Sequence, residues 1–184
     1  MKTKRMLLTI LVLSLIALSF TACEKVNKTL MSTDLYGLLI NTNDLPQGWL
    51  ENYVGHAVDV ERGKDSAGIT VYTEEHPNAF GCVEEIYRFQ TVNEAKHDYE
   101  YAVQTFGYNN EDLELSFTSK KADESHFSCQ SWPDIPFPVC YWVARYNILV
   151  VSYRVWLEPG YITIDDTEAI VQKIDNRVSK LLSK

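Results

Sequence analysis

Three cysteines between positions 82 and 140 could form a disulfide. Cys129 and Cys140 flank a stretch of ten residues that contains three prolines. A bridge at the mouth of such a short connection restricts the unfolded chain and stabilises the fold by about 3 kcal/mol. The spacing therefore favours a Cys129–Cys140 disulfide and leaves Cys82 as a buried thiol. The pairs Cys82–Cys140 and Cys82–Cys129 are the alternatives.

The same cysteines allow a metal site. His126 lies three residues before Cys129, which is a spacing found in zinc ligands, and Cys82 and Cys140 would complete a set of three thiolates and one imidazole. The chain has no Cys-x-x-Cys pair, and thiols outside the cytoplasm tend to oxidise. We therefore expect a disulfide and no metal.

The sequence contains none of the common catalytic motifs. There is no Gly-x-Ser-x-Gly elbow, no His-Glu-x-x-His helix and no glycine-rich loop for a phosphate. The four histidines stand apart from one another, at positions 56, 76, 97 and 126. A role without catalysis and without a cofactor follows from this pattern.

The N-terminus has the pattern of an export signal. Three basic residues within positions 1–5 precede an apolar run over 6–20 and the small residues before Cys23. A helix of about 15 residues, at ~1.5 Å per residue, is shorter than a hydrocarbon core of ~30 Å. A cleaved signal peptide is therefore favoured over a membrane-spanning helix.

Residues 18–23, LSFTAC, resemble the lipobox of bacterial lipoproteins, with Phe20 as the large apolar residue three positions before the cysteine. The resemblance implies that the Cys23 thiol is linked to diacylglycerol, that residues 1–22 are removed and that the new amino group is acylated, for example with palmitate. Several acyl chains hold a protein stably on a bilayer. The chain then divides into a signal peptide (1–22), a lipidated tether (23–32) and one extracytoplasmic domain (33–184).

Composition limits the partners. The chain of 184 residues has 46% hydrophobic residues and a net charge of −8, which describes a folded domain with an acidic surface. Removal of residues 1–22 takes away three basic residues and no acidic one, so the charge falls to −11. Because an acidic body is repelled by phosphates, we expect no nucleic-acid partner. The membrane is expected to be contacted through the lipid alone, and an envelope protein or a small ligand is the remaining partner.

The proline-rich stretch between Cys129 and Cys140 is the candidate binding loop. It carries Trp132, Ile135 and Phe137, and its prolines reduce the entropy lost when a partner binds. The alternative is that these three side chains fold back over the sheet as a lid on the core.

Periodicity indicates an α+β fold. Leucines at helical spacing predict a helix over 34–42, a capping box starts a second helix at Thr91, and Asp165 with Glu168 predicts the start of a third. The intervening apolar runs predict strands, including one over 113–120 and a hairpin over 141–157. Hairpin-length connections imply an antiparallel sheet, and we expect the N-terminal, central and C-terminal helices on one of its faces.

Residues 45–49, LPQGW, resemble the Leu-Pro-x-Gly-Trp motif of uncharacterised bacterial envelope lipoproteins. The order of helices and strands is similar to that of extracytoplasmic sensor domains of bacterial receptor kinases. Both resemblances imply a binding or sensing domain. The sequence thus predicts a non-catalytic, membrane-anchored binding or sensing module. The alternatives are an envelope assembly factor and a hydrolase or redox protein whose site forms only on folding.

Overall fold

The structure is a computed structural model that describes residues 25–57, 62–73, 81–107, 113 and 117–183. The predicted signal peptide and Cys23 lie outside the described residues, and so does His76. Three α-helices occur in the described ranges: α1 (Lys28–Ser32), α2 (Val92–Phe106) and α3 (Ile164–Leu182).

Six strands of the described residues form one sheet in the spatial order β1-β2-β3-β6-β5-β4, and all neighbours are antiparallel. The predicted α+β class with an antiparallel sheet is confirmed. The strands are β1 (Trp49–Gly55), β2 (Asp65–Thr73), β3 (Cys82–Arg88), β4 (Glu124–Gln130), β5 (Val139–Tyr146) and β6 (Leu149–Trp156).

The helices lie on both faces of the sheet, which corrects the expectation of a single covered face. On the inner face, Trp142 and Val151 share a core with Ile174 of α3. Their chain neighbours Val143 and Val150 lie on the opposite, outer face of the sheet and pack against α2. Because successive side chains of a strand alternate between faces, central strands that are apolar throughout need a cover on each side.

The central helix begins where the sequence predicts. Thr91 Oγ1 accepts a hydrogen bond from the Glu94 backbone N–H at 3.2 Å, and the Glu94 carboxylate accepts one from the Thr91 N–H at 3.0 Å. This reciprocal capping satisfies two backbone donors that the helix leaves open. The helix ends before Gly107, as expected.

The C-terminal helix begins slightly earlier than predicted. Its capping box is formed by Thr163 and Asp166, not by Asp165 and Glu168. The Thr163 hydroxyl accepts from the Asp166 N–H at 3.1 Å, and the Asp166 carboxylate accepts from the Thr163 N–H at 2.9 Å. Asp165 lies in the first turn, where a negative charge favours the helix dipole.

The predicted helix over 34–42 is replaced by two 3₁₀ turns, Tyr36–Leu38 and Thr42–Asp44. Side chains from distant parts of the sequence form hydrogen bonds with backbone groups that a longer helix would have paired internally. The Glu84 carboxyl group accepts the Ile40 N–H at 2.6 Å, and the Arg177 guanidinium donates to the carbonyls of Leu38 and Leu39 at 3.1 and 2.7 Å. The leucines are buried all the same.

Two further boundaries differ from the sequence prediction. Of the strand predicted over 113–120, residues 114–116 lie outside the described ranges, and 117–120 have no strand structure.

Of the predicted tether, residues 28–32 form α1, and Leu30 is fully buried. Asn147, at the β5–β6 turn, accepts from the Asn27 N–H and donates to the Lys25 carbonyl. The folded domain therefore begins close to Cys23.

Candidate ligand-binding cavity

A cavity of about 260 Å³ lies between the C-terminal half of α2 and the outer face of the sheet. Strands β3 to β6 contribute the floor, and the end of the helix with the residue after it contributes Tyr101, Ala102, Val103, Thr105, Phe106 and Gly107. Residues that face each other in the strand register meet here, because Glu85 is opposite Ser152 and Arg154 is opposite Tyr141. The described residues thus enclose a space large enough for a small molecule, with polar groups on its floor.

Aromatic rings form much of the cavity wall. Phe106 of α2 stacks on Tyr141 of β5, with ring centroids 4.8 Å apart and planes inclined by 13°. Tyr87 and Tyr101 line the same space. Rings of this kind offer broad apolar surfaces, and the tyrosines add hydroxyl groups that can hydrogen-bond a ligand.

Side chains of β4 hold the end of α2 in place. The Phe106 carbonyl accepts hydrogen bonds from Ser128 Oγ at 2.5 Å and from Gln130 Nε2 at 3.0 Å. His126 Nε2 lies 3.2 Å from the Gly107 carbonyl. Since a carbonyl only accepts, this imidazole nitrogen carries the hydrogen. The last carbonyls of a helix lack partners within the helix, so these bonds stabilise its end and fix the wall.

Arg62, one of the charged residues that line the cavity, forms an ion pair with Asp98. Arg62 donates from Nε to one carboxylate oxygen of Asp98 at 2.7 Å and from Nη2 to the other at 2.8 Å. Its guanidinium also lies 4.2 Å from the centroid of the Tyr87 ring. This paired, two-point geometry is the strongest that an arginine forms with a carboxylate.

Arg154 differs from the other arginines that the structure describes. Its guanidinium lies over the Trp156 ring, 4.9 Å from the centroid, and no carboxylate of the described residues forms an ion pair with it. Its buried Nε has no hydrogen-bond acceptor among those residues. The others all form ion pairs with acidic side chains, namely Arg62, Arg88, Arg145 and Arg177.

The predicted disulfide is present. Cys129 and Cys140 are bonded to each other and lie opposite one another on β4 and β5. The alternative of a zinc site is therefore wrong, because two of its four predicted ligands, Cys129 and Cys140, form the disulfide. Within the described ranges, no group of three or more His, Cys, Asp or Glu side chains is placed to hold a metal ion.

Cys82 is a buried free thiol, as predicted. Complete burial raises its pKa to about 12, although the nearby Tyr153 hydroxyl opposes the shift and the neighbouring charge of Glu84 adds to it. Because the thiolate is the nucleophile, a thiol held in this state is chemically inert near neutral pH.

The proline-rich loop is separate from the cavity. Trp132 is 49% exposed, whereas Ile135 and Phe137 have intermediate exposure. None of the three lines the cavity. The loop is ordered by a turn in which the Ile135 N–H donates to the Trp132 carbonyl at 3.1 Å.

Sequence reasoning missed the cavity residues, chiefly Tyr101, Phe106, Ser152 and Arg154. One signal was available. In the hairpin, Tyr141 and Arg154 alternate with the core residues Trp142 and Tyr153, which marks them as a second face. That this face meets the end of α2 depends on long-range pairing.

Across the described part of the chain, the helices are too short or too polar to span a bilayer. No protein-family model matches the chain, and no curated protein matches it either. Among solved structures, it is similar to the extracellular domain of PknH from Mycobacterium tuberculosis. That likeness has 11% sequence identity and a TM-score of 0.47, and it covers 79% of this chain and 95% of the other. A likeness this distant carries no argument about function.

Proposed function

We propose that the chain is a membrane-anchored, extracytoplasmic module that binds a small molecule and does not convert it. The observation that carries this proposal is the cavity between α2 and the sheet, with its aromatic wall and polar floor. Concave sites that combine apolar walls with a few polar groups are the usual form of ligand sites.

Two observations support an extracytoplasmic location. The N-terminal residues have the pattern of an export signal that ends at Cys23. The bridge between Cys129 and Cys140 belongs in an oxidising compartment.

A lipid on Cys23 would hold the domain close to the bilayer. Only Glu24 separates Cys23 from Lys25, whose carbonyl accepts a hydrogen bond from Asn147. Each extended residue spans at most about 3.6 Å, so the β5–β6 turn would face the membrane. Acidic side chains repel anionic lipids, so the attachment rests on the acyl chains.

The groups around the cavity support binding without turnover. His126 is engaged with a helix carbonyl, and Arg62 is paired with Asp98. These described side chains have structural partners, whereas a nucleophile and its base need to contact each other.

A larger side chain on the cavity floor is expected to prevent binding. Ser152→Tyr would place a ring in the space between β6 and α2, and fragments that bind the wild type should lose at least about tenfold in affinity, or about 1.4 kcal/mol. A library of small aromatic and aliphatic compounds, screened by ligand-observed NMR, provides the measurement. Ser32→Tyr, on the exposed side of α1, is the matched control. Equal binding to Ser152→Tyr would contradict the proposed site.

Lipidation of Cys23 is expected to be complete in a bacterial host. After growth with a palmitate analogue that can be detected by click chemistry, the wild type should carry the label and Cys23→Ser should carry none. Mass measurement of the mature N-terminus checks that residues 1–22 are removed. An unlabelled wild type would contradict the anchor, while the cavity proposal would remain.

A second candidate is an envelope assembly factor. The exposed Trp132 on the loop between β4 and β5 favours it, because aromatic side chains are common at the centres of protein interfaces. If a stoichiometric envelope protein co-purifies with the anchored chain and is lost on Trp132→Ala, this second role is supported.

A further inference from the structure

The surroundings of Arg154 indicate which kind of ligand the cavity binds. This inference rests on the proposed function of the cavity. We propose that the cavity recognises small monocarboxylic acids with an apolar body, and that Arg154 binds their carboxylate. The observations are a guanidinium without an acidic partner among the described residues, its position on the cavity floor and the stacked rings beside it.

No acidic side chain in the part of the chain that the structure describes pairs with Arg154. A half-buried guanidinium loses hydration, and proteins normally compensate this loss with a carboxylate or another acceptor. The other described arginines follow that rule, and Arg154 is the exception. A bound carboxylate would supply both the opposite charge and the acceptor that Nε lacks.

The neighbouring charges determine which anion fits. Glu85 lies diagonally across the sheet from Arg154, since its register partner Ser152 is two residues before Arg154. Its negative charge and the net charge of −8 for the whole chain oppose a doubly charged group such as a phosphate monoester. A single carboxylate carries one charge and matches the planar fork of arginine.

The surroundings of Arg154 determine the rest of the ligand. Tyr141 is its direct neighbour on β5, and Phe106 stacks on that ring. A carboxylate at Arg154 therefore leaves the remainder of the molecule against two aromatic surfaces. The volume of about 260 Å³ is below the range of roughly 300–1,000 Å³ for drug-sized sites, so a ring with a short chain fits better than a larger lipid.

The buried position of Nε adds a structural expectation. Because this nitrogen is not accessible, a two-point contact requires Arg154 to turn from Trp156 toward the cavity. The contact between the guanidinium and the indole is then lost, and the fluorescence of Trp156 changes when a carboxylate binds.

The test compares 3-phenylpropionate with its neutral isostere 3-phenylpropionamide, by calorimetry on the full chain in detergent. The wild type should bind the acid at least about tenfold more tightly than the amide. Arg154→Met should abolish this preference while it still binds the amide, and Arg154→Lys should keep only part of it, because an ammonium lacks the planar fork. Circular dichroism checks that both variants fold, and Arg154→Lys serves as the test if Arg154→Met does not.

Three results would overturn the proposal. They are equal binding of the acid and the amide by the wild type, an undiminished preference for the acid in the variants, and no binding of either compound. The proposed function is judged separately. If library fragments still bind in a manner sensitive to Ser152→Tyr, the cavity is a ligand site and only the assignment of carboxylates is wrong.

Discussion

Glu84→Gln is expected to remove a loss of stability that the wild type undergoes as the pH rises from about 4.5 to about 8. Glu84 lies on β3 with no exposed surface. One carboxyl oxygen accepts the Ile40 N–H at 2.6 Å, and the other has no hydrogen-bond partner among the described residues. For a negative charge at this position, the Ile40 hydrogen bond and the charge of Arg177 offset only part of the cost of burial.

Burial raises the pKa of Glu84 to about 8, while the Ile40 hydrogen bond and the charge of Arg177 lower it and the charge of Asp44 raises it. The folded protein therefore keeps a proton that the unfolded chain releases near pH 4.5. Since the native state binds more protons in this window, the free energy of unfolding falls as the pH rises, by at most about 1.4 kcal/mol per pH unit. Above about pH 8 both states are ionised and the decrease stops.

Glutamine keeps an oxygen for the Ile40 N–H and cannot ionise. At pH 5 the two proteins should differ by no more than about 1 kcal/mol, whereas at pH 8 the variant should be more stable by at least about 2 kcal/mol. Urea unfolding at both pH values gives the difference. Glu100→Gln, on the exposed side of α2, should leave the pH profile unchanged. Parallel profiles for the wild type and Glu84→Gln would show that Glu84 is not protonated in the fold.

Reduction of the disulfide is expected to lower the free energy of unfolding by about 3 kcal/mol, because it frees a short loop in the unfolded chain. The bonded cysteines are 11 residues apart in sequence and are both fully buried. The double variant Cys129→Ala with Cys140→Ala should show a loss of similar size, increased by the removal of two buried side chains.

Urea unfolding with and without reductant identifies the pair. The wild type and Cys82→Ala should both lose stability on reduction, and the double variant should not respond. If Cys82→Ala were insensitive to reductant, Cys82 would be part of the bridge and the pairing would be wrong.

Local sequence signals predicted the elements that depend on local contacts. Thr91 and Glu94 cap α2 with each other, so four consecutive residues of sequence contain the whole interaction. The β5–β6 hairpin is equally local, since Tyr146 pairs with Leu149 across a two-residue turn in which Asn147 has a φ of 57°. The disulfide followed because its cysteines flank one connection.

The errors occurred where distant residues decide the structure. Leu35, Leu38 and Leu39 have helical spacing, but Arg177 and Glu84 bond the backbone nearby and hold it in short turns. The placement of α2 on the outer face depends on which face of the sheet Val143 and Val150 occupy. Because their strands are apolar on both faces, the sequence does not indicate that face.

The cavity is the clearest case of information absent from local patterns. Arg154 stands in a strand sequence that indicates core packing. The residues next to it in the sequence do not show that it has no acidic partner within the described ranges. That fact emerges only when β3, β5 and β6 are paired and α2 is placed above them. The candidate loop at Trp132 was evident from composition, yet it lies outside the cavity.

Amide NMR on the ¹⁵N-labelled full chain in detergent tests the claim of a ligand site most directly. During titration with the bound fragments, the shifts should concentrate at residues 101–107 and 152–154. Shifts confined to residues 132–137, or no fragment that perturbs the end of α2, would contradict a binding site between the helix and the sheet.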